Sequence, residues 1–322
     1  MIVPSKEKEK VLGGLWGAVI GDALGVPVEF VDRATLKGNP VTDMREYGSH
    51  HQPRGTWSDD SSLLLCTVES LIHGFDLDDL AQRFIRWRYQ GHWTPWGSVF
   101  DIGMAASRAI SKLASGTPAE EAGANDENSN GNGSLMRILP IGIYYAEAPT
   151  AQILESAHRV SCLTHRHPRS QMACGLYCLI AASLLEGENP AGACQLAAER
   201  ALQHYKQAPY SNELPHFQDL LSGRIAHLPE QRIRATGYVV DTLTAGLWCL
   251  LNSGSYRETV LMAVNLGEDT DTVGTVAGGL AGLYFGLRNV PAEWLNQVAR
   301  RDDIATLFEQ FVAALNNQPD KA

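Results

Sequence analysis

Gly13-Gly14-Leu15-Trp16-Gly17-Ala18-Val19-Ile20-Gly21-Asp22-Ala23-Leu24-Gly25 sets a glycine at every fourth position of an apolar stretch, at 13, 17, 21 and 25. Far downstream the spacing returns at Gly274, Gly278 and Gly282. A glycine inside a helix costs about 1 kcal/mol relative to alanine. A row of them on one helix face is explained by another helix that comes too close for side chains. A membrane dimer would show the same spacing, but Asp22 and the polar flanks argue against it. The remaining periodicity is helical too, over 12–24, 58–73, 77–89, 102–114, 150–163, 170–185, 190–205, 237–252, 256–266, 271–286 and 302–316. Alternating strand-like runs with hairpin signals are lacking. The expectation is a tightly packed, all-α domain with the two glycine-spaced helices near its centre.

The chain has 322 residues, 44% of them hydrophobic, enough to bury a core without disulfides. A net charge of -10 speaks against wholesale binding to nucleic acid or an anionic membrane. No unbroken apolar run reaches the length of a bilayer span, and residues 1–10 are polar, without the apolar core of a signal peptide. We read 1–10 as a flexible tail and 11–318 as one domain. The six cysteines form no Cys-x-x-Cys pair. Cys174 and Cys178 share a helix face among apolar neighbours, which fits buried thiols rather than zinc ligands. Free thiols point to a reducing compartment, the cytoplasm.

Two helix starts are unusually acidic. Gly55-Thr56-Trp57-Ser58-Asp59-Asp60-Ser61-Ser62 leads into Leu63-Leu64-Leu65, and Gly267-Glu268-Asp269-Thr270-Asp271-Thr272 leads into the second glycine-spaced helix. Capping explains one or two polar residues at each start. It does not explain adjacent aspartates against apolar helices. If the two starts meet, Asp59, Asp60, Asp269 and Asp271 converge. Two unit charges about 4 Å apart repel by roughly 4 kcal/mol at an effective dielectric of 20. Such a cluster calls for protons or cations, and carboxylate and hydroxyl oxygens favour hard divalent ions.

One segment is neither core nor helix: Gly-Ala-Asn-Asp-Glu-Asn-Ser-Asn-Gly-Asn-Gly-Ser over 123–134. Its composition describes a loop, anchored at its far end by the apolar run 135–144. Loops held between rigid elements often bind ligands.

These motifs, in this order, resemble the ADP-ribosylglycohydrolases of the dinitrogenase-reductase-activating type. The matching residues are Gly21-Asp22-Ala23-Leu24-Gly25 with Glu29, Ser58-Asp59-Asp60-Ser61, Phe100-Asp101-Ile102-Gly103, Asn132-Gly133-Ser134-Leu135-Met136-Arg137 and Asp269-Thr270-Asp271-Thr272. Thr164-His165 with Pro168 adds a weaker match. The resemblance implies a compact, orthogonal all-helical domain with a binuclear Mg²⁺ or Mn²⁺ centre held by Ser58, Asp59, Asp60, Asp269, Asp271 and Thr272. Ser58 departs from the threonine usual in the family and has a less restricted rotamer.

The resemblance also implies that Ser129, Asn130, Gly131, Asn132, Gly133 and Ser134 wrap a diphosphate, partly through backbone N–H groups. Glu29 is implied at the metal centre, and Asp101 and His165 near the ribose. The implied activity is hydrolysis of the bond between ribose C1″ and a modified protein side chain, preferentially arginine. The general base is one of Asp59, Asp101 and Glu29. A cognate ADP-ribosyltransferase toxin is a conceivable counterpart. Two rival readings are a catalytically inactive ADP-ribose or partner binder, and a metal-dependent phosphohydrolase acting on a nucleotide diphosphate.

Overall fold

A computed structural model describes residues 5–317. Their secondary structure is helical, and among the described residues there are no strands, only two isolated bridges, Ala124 with His165 and Gly131 with Tyr238. The α-helices are α1 (Ser5–Gly25), α2 (Arg33–Gly38), α3 (Asp59–Leu71), α4 (Leu77–Gln90), α5 (Met104–Ala114), α6 (Leu139–Tyr144), α7 (Thr150–Cys162) and α8 (Pro168–Glu186). They continue as α9 (Pro190–His204), α10 (Gln218–Leu221), α11 (Val239–Leu251), α12 (Tyr256–Val264), α13 (Thr270–Phe285), α14 (Ala292–Leu295) and α15 (Arg301–Asn316).

The two glycine-spaced helices, α1 and α13, lie antiparallel in backbone contact. A Cβ added at Gly13 would sit 2.4 Å from the Gly282 carbonyl oxygen, at Gly17 2.3 Å from that of Gly278, and at Gly21 2.0 Å from that of Gly274. The seam ends where a Cβ at Gly25 would meet the Asp271 backbone at 2.3 Å. Around it the remaining faces of α1 are covered as well. Trp16 meets Phe308 of α15 edge-on at 5.2 Å, and the Tyr256 hydroxyl of α12 donates to the Gly17 carbonyl. On the far side, the Tyr177 hydroxyl of α8 donates to the Val276 carbonyl of α13. Apolar burial on every side offsets the helical cost of glycine.

One expectation is corrected. Residues 5–10 are not a tail: they are the first turns of α1, where Lys8 pairs with Glu309 at 2.6 Å and the Lys10 ammonium donates to the Leu184 carbonyl at the end of α8. The tail's residues 1–4 lie outside the described residues. The stretch Glu7–Val28 reaches the length and mean hydropathy of a bilayer span even though Asp22 interrupts its apolar run. Its apolar window is wholly buried inside the fold, against α13 and its neighbours. The six cysteines are free and buried.

Candidate active site

The glycine seam fixes the site. At its end α1 abuts the N-terminus of α13, where the Thr270 hydroxyl donates to the Gly25 carbonyl at 2.8 Å. One turn earlier, Asp22 accepts hydrogen bonds from the Ser58 and Ser61 backbone N–H groups and the Ser61 hydroxyl, at 3.0, 3.0 and 2.6 Å. A single buried carboxylate thus ties the N-terminus of α3 to α1. The two acidic helix starts, about 200 residues apart in sequence, are held on the same short piece of α1. Asp22 is a site residue that the helical pattern hides.

At the α3 start, Ser58 is the N-cap and its hydroxyl accepts from the Asp60 N–H. The Ser58 and Thr272 hydroxyls each lie 3.3 Å from Asp60 Oδ2, so Asp60 joins the two helix starts. Its other oxygen, Oδ1, is buried with no hydrogen-bond partner. At the α13 start, Asp269 makes no side-chain cap. Its Oδ2 instead accepts from the Asn132 amide at 2.9 Å, which ties the polar loop to the acidic centre. Carboxylate oxygens of Glu29, Asp269 and Asp271 come within 4.8 Å of one another, as do ligand atoms of Glu29, His50 and Asp101. Asp59 lines the same cleft as Asp101 and Gly103, and the charge of Asp101 is among the neighbours that oppose its ionisation.

Burial opposes ionisation of Asp59, Asp60, Asp101 and Asp271, and repulsion from neighbouring acids adds to it. Asp59, Asp60 and Asp271 are raised well above the usual carboxylate range, and Asp101 is raised as well. Burial raises Asp22 to about 6 against the hydrogen bonds from Ser61 and Ser58, and Glu29 to about 7 against its bond to His50. A group of buried acids with an orphaned oxygen and hydroxyls on both sides fits a hard divalent cation, whose charge removes the repulsion. His50, which the sequence did not single out, lies on an irregular segment without periodicity and bonds Glu29.

The linkage sign is definite. For an acid whose folded pKa is raised, the folded state holds more protons, so stability falls as pH rises from the unfolded value, near 4, to the folded one. Protein freed of metal should therefore melt at progressively lower temperature between pH about 4 and pH about 7, the interval set by the shifts of Asp22 and Glu29. Mn²⁺ or Mg²⁺ should raise the melting temperature, and more at pH 8 than at pH 5. A metal effect independent of pH in a thermal-shift series would contradict this assignment.

The acidic centre forms part of a cleft of about 790 Å³. Glu29, Asp59, Asp60, Asp101, Asp269, Asp271 and Thr272 line it, with Ser129, Gly131, Asn132, Gly133 and His165 of the loop region, and Arg108 and Lys112 along α5. The loop is held from beneath. The Asn132 N–H donates to the Gly237 carbonyl, the Val239 N–H to the Asn130 carbonyl, and the buried Arg137 guanidinium to the Gly133 carbonyl. A Cβ at Gly133 would meet the His165 ring at 2.9 Å, so glycine there lets the loop lie on the imidazole.

The loop residues divide. Ser129, Gly131, Asn132 and Gly133 face the cleft. Asn130 and Ser134 do not: Asn130 Oδ1 accepts from the Ser170 hydroxyl, and the fully buried Ser134 hydroxyl meets those of Ser161 and, through a thiol, Cys174. The side chains of both fasten the loop to the core. His165 lies under the glycines rather than against the carboxylates. Burial drives its pKa down to about 3, and Nδ1 pairs with the Thr164 hydroxyl. It is a neutral support for the loop. Trp87 within α4 and Trp93 just after it are buried, whereas Trp96 is exposed.

Helical scaffold, convergent carboxylates and a glycine-rich loop opening into one cleft define a hydrolase of the all-α, acid-centred kind. The chain belongs to the ADP-ribosylglycohydrolase family, whose sequence model matches residues 4–321. It is 31% identical to ADP-ribosylarginine hydrolase Tri1 of Serratia proteamaculans (strain 568), over 97% of this chain and 81% of that one. Identity to the ADP-ribosyl-[dinitrogen reductase] glycohydrolase of Rhodospirillum rubrum is 26%, over 90% of each chain. A solved structure titled "ADP-ribosylglycohydrolase-related protein complex" superposes with a TM-score of 0.81 at 31% identity, covering 97% of this chain and 100% of that one.

Proposed function

We propose that the chain is an ADP-ribosylarginine hydrolase that works with two divalent cations, Mg²⁺ or Mn²⁺, in the cytoplasm. The observation that carries this is the junction of Asn132 with Asp269. It sets a diphosphate-binding loop directly beside a carboxylate centre, as a ligand with phosphates at one end and a reacting sugar at the other requires. The substrate preference rests on relatives named as ADP-ribosylarginine hydrolases in two bacteria.

Backbone N–H groups around Gly131 and Gly133 hold the diphosphate. Ser58, Asp59, Asp60, Asp269, Asp271 and Thr272 would hold the cations, which supply Lewis acidity and counter-charge to the ribose hydroxyls and a water. Displacement at C1″ passes through an oxocarbenium-like state. The attacking water gives its proton to Asp59 or Asp101, neighbouring carboxyls of the cleft, and that proton passes on to the departing guanidine nitrogen, so that arginine leaves as guanidinium. Glu29, turned towards Asp269 and Asp271, adds negative charge where the sugar becomes positive. The modification it removes must be made by an arginine-specific ADP-ribosyltransferase, of which a toxin is one kind.

The test is product identity. Incubated with a protein ADP-ribosylated on arginine, the enzyme should release intact ADP-ribose and leave unmodified arginine. Serine-, ester- and base-linked substrates should be cut more slowly. Activity should vanish in chelator and return with Mg²⁺ or Mn²⁺. AMP as product would mean a phosphohydrolase, and tight ADP-ribose binding without turnover would mean a binder.

A further inference from the structure

Phe30 is 73% exposed, although it directly follows the buried Glu29 and lines the mouth of the acidic cleft. Its φ of +65° lies in the left-handed region, which L-residues with a bulky side chain avoid at a cost of about 1–3 kcal/mol. The surrounding chain enforces this conformation. The Phe30 N–H donates to the Glu268 carbonyl at 2.6 Å, and the Glu268 N–H, itself at φ +63°, returns to the Val31 carbonyl at 2.8 Å. Arg33 fastens the same turn, donating to the Leu266, Glu230 and Ile233 carbonyls. The centroids of the Phe30 and His50 rings are 6.0 Å apart with the rings tilted by 56°, and His50 is bonded to Glu29. A strained backbone, fixed by hydrogen bonds, thus sets an aromatic side chain in water beside acids.

The position along the cleft gives it a partner. The glycine-rich loop lies on one side of the Asn132–Asp269 junction and the carboxylates on the other. A ligand with its diphosphate on the loop and C1″ at the carboxylates directs the group leaving C1″ towards the rim that carries Glu29 and Phe30. We propose that Phe30 is the specificity-determining residue for that leaving group: its ring face receives a planar guanidinium beside the carboxylate of the preceding Glu29. This rests on the arginine-linked reading above. Guanidinium is weakly hydrated and stacks on aromatic faces, whereas a serine or carboxylate leaving group gains nothing there.

Phe30→Ala, Phe30→Leu and Phe30→Tyr should be compared on ADP-ribosylagmatine, on an arginine-ADP-ribosylated protein, and for ADP-ribose binding by calorimetry. The alanine and leucine variants should lose about 5- to 10-fold in kcat/KM on both substrates, and tyrosine should stay within about twofold of wild type. ADP-ribose, which lacks the guanidinium, should bind all four proteins equally. Unchanged turnover in Phe30→Ala overturns the assignment. So does a leucine variant as active as wild type, a loss confined to the protein substrate, or a parallel loss of ADP-ribose affinity. A wild-type enzyme inactive on both arginine-linked substrates would instead sink the functional reading, and the inference with it.

Discussion

Asp60→Asn should abolish turnover and, in chelator, raise the melting temperature. The two effects share one cause. Asp60 is almost wholly buried, with one oxygen unpartnered and the other shared between hydroxyls from two helices. Without a cation it is a net cost, since burial and then Asp22, Asp59, Asp269 and Asp101 all oppose its ionisation. An isosteric amide removes that cost, and its N–H₂ can donate to the Ser58 and Thr272 hydroxyls. The same change removes a ligand from the centre. A cation that contributes several kcal/mol to the transition state corresponds to a loss of about 10³-fold or more in kcat. The Mn²⁺-dependent rise in melting temperature should shrink or disappear. Stability and function thus oppose each other at this residue, as is common where an active site stores repulsion. An inactive variant that is merely misfolded would melt lower, not higher. A variant that keeps both turnover and the metal response would remove Asp60 from the centre.

What the sequence discloses here divides along physical lines. The helices and the central pair are legible because a period of four glycines has few explanations outside close helix contact. The acidic starts are legible because helix capping needs fewer aspartates than are present. Their convergence is not legible, since it depends on Asp22, a carboxylate inside an apolar helix whose partners are backbone N–H groups 36 and 39 residues away. Polarity alone also fails in the loop: Asn130, Ser134, Asn132 and Gly133 read alike, yet the first two turn into the core. The segment 26–58 carries Phe30 and His50 with little regular structure and no period, so only the contacts made by Glu268 and Glu29 reveal them.

Gly21→Ala should be among the most damaging methyls that can be added to this protein. The new Cβ would stand 2.0 Å from the Gly274 carbonyl oxygen and 2.4 Å from its carbon. No side chain can rotate away, because both partners are backbone in central helices. Relief requires α1 and α13 to separate, and the neighbouring contacts at Gly17 and Gly25 are equally tight. Overpacking in cores usually costs about 1–3 kcal/mol, with side chains absorbing the strain. Here a loss of at least about 4 kcal/mol is expected, in the range reserved for severe core damage. Insoluble expression, or a fall of about 10 °C in a fixed-rate thermal scan, would register it.

Gly14, on the same helix, is the control. Its added Cβ meets Leu283 Cδ2 at 2.5 Å and Cγ at 2.7 Å, side-chain atoms rather than helix backbone, with the Gly279 carbonyl oxygen at 3.3 Å. Gly14→Ala also gains about 1 kcal/mol of helix propensity, so its net cost should be smaller than that of Gly21→Ala. Because Asp22 follows Gly21 and holds the start of α3, any folded Gly21→Ala protein should also lose activity, whereas Gly14→Ala keeps it. Equal stability of the two variants would mean that the seam is looser than van der Waals contact. The acidic centre would then need a support other than the packing of α1 on α13.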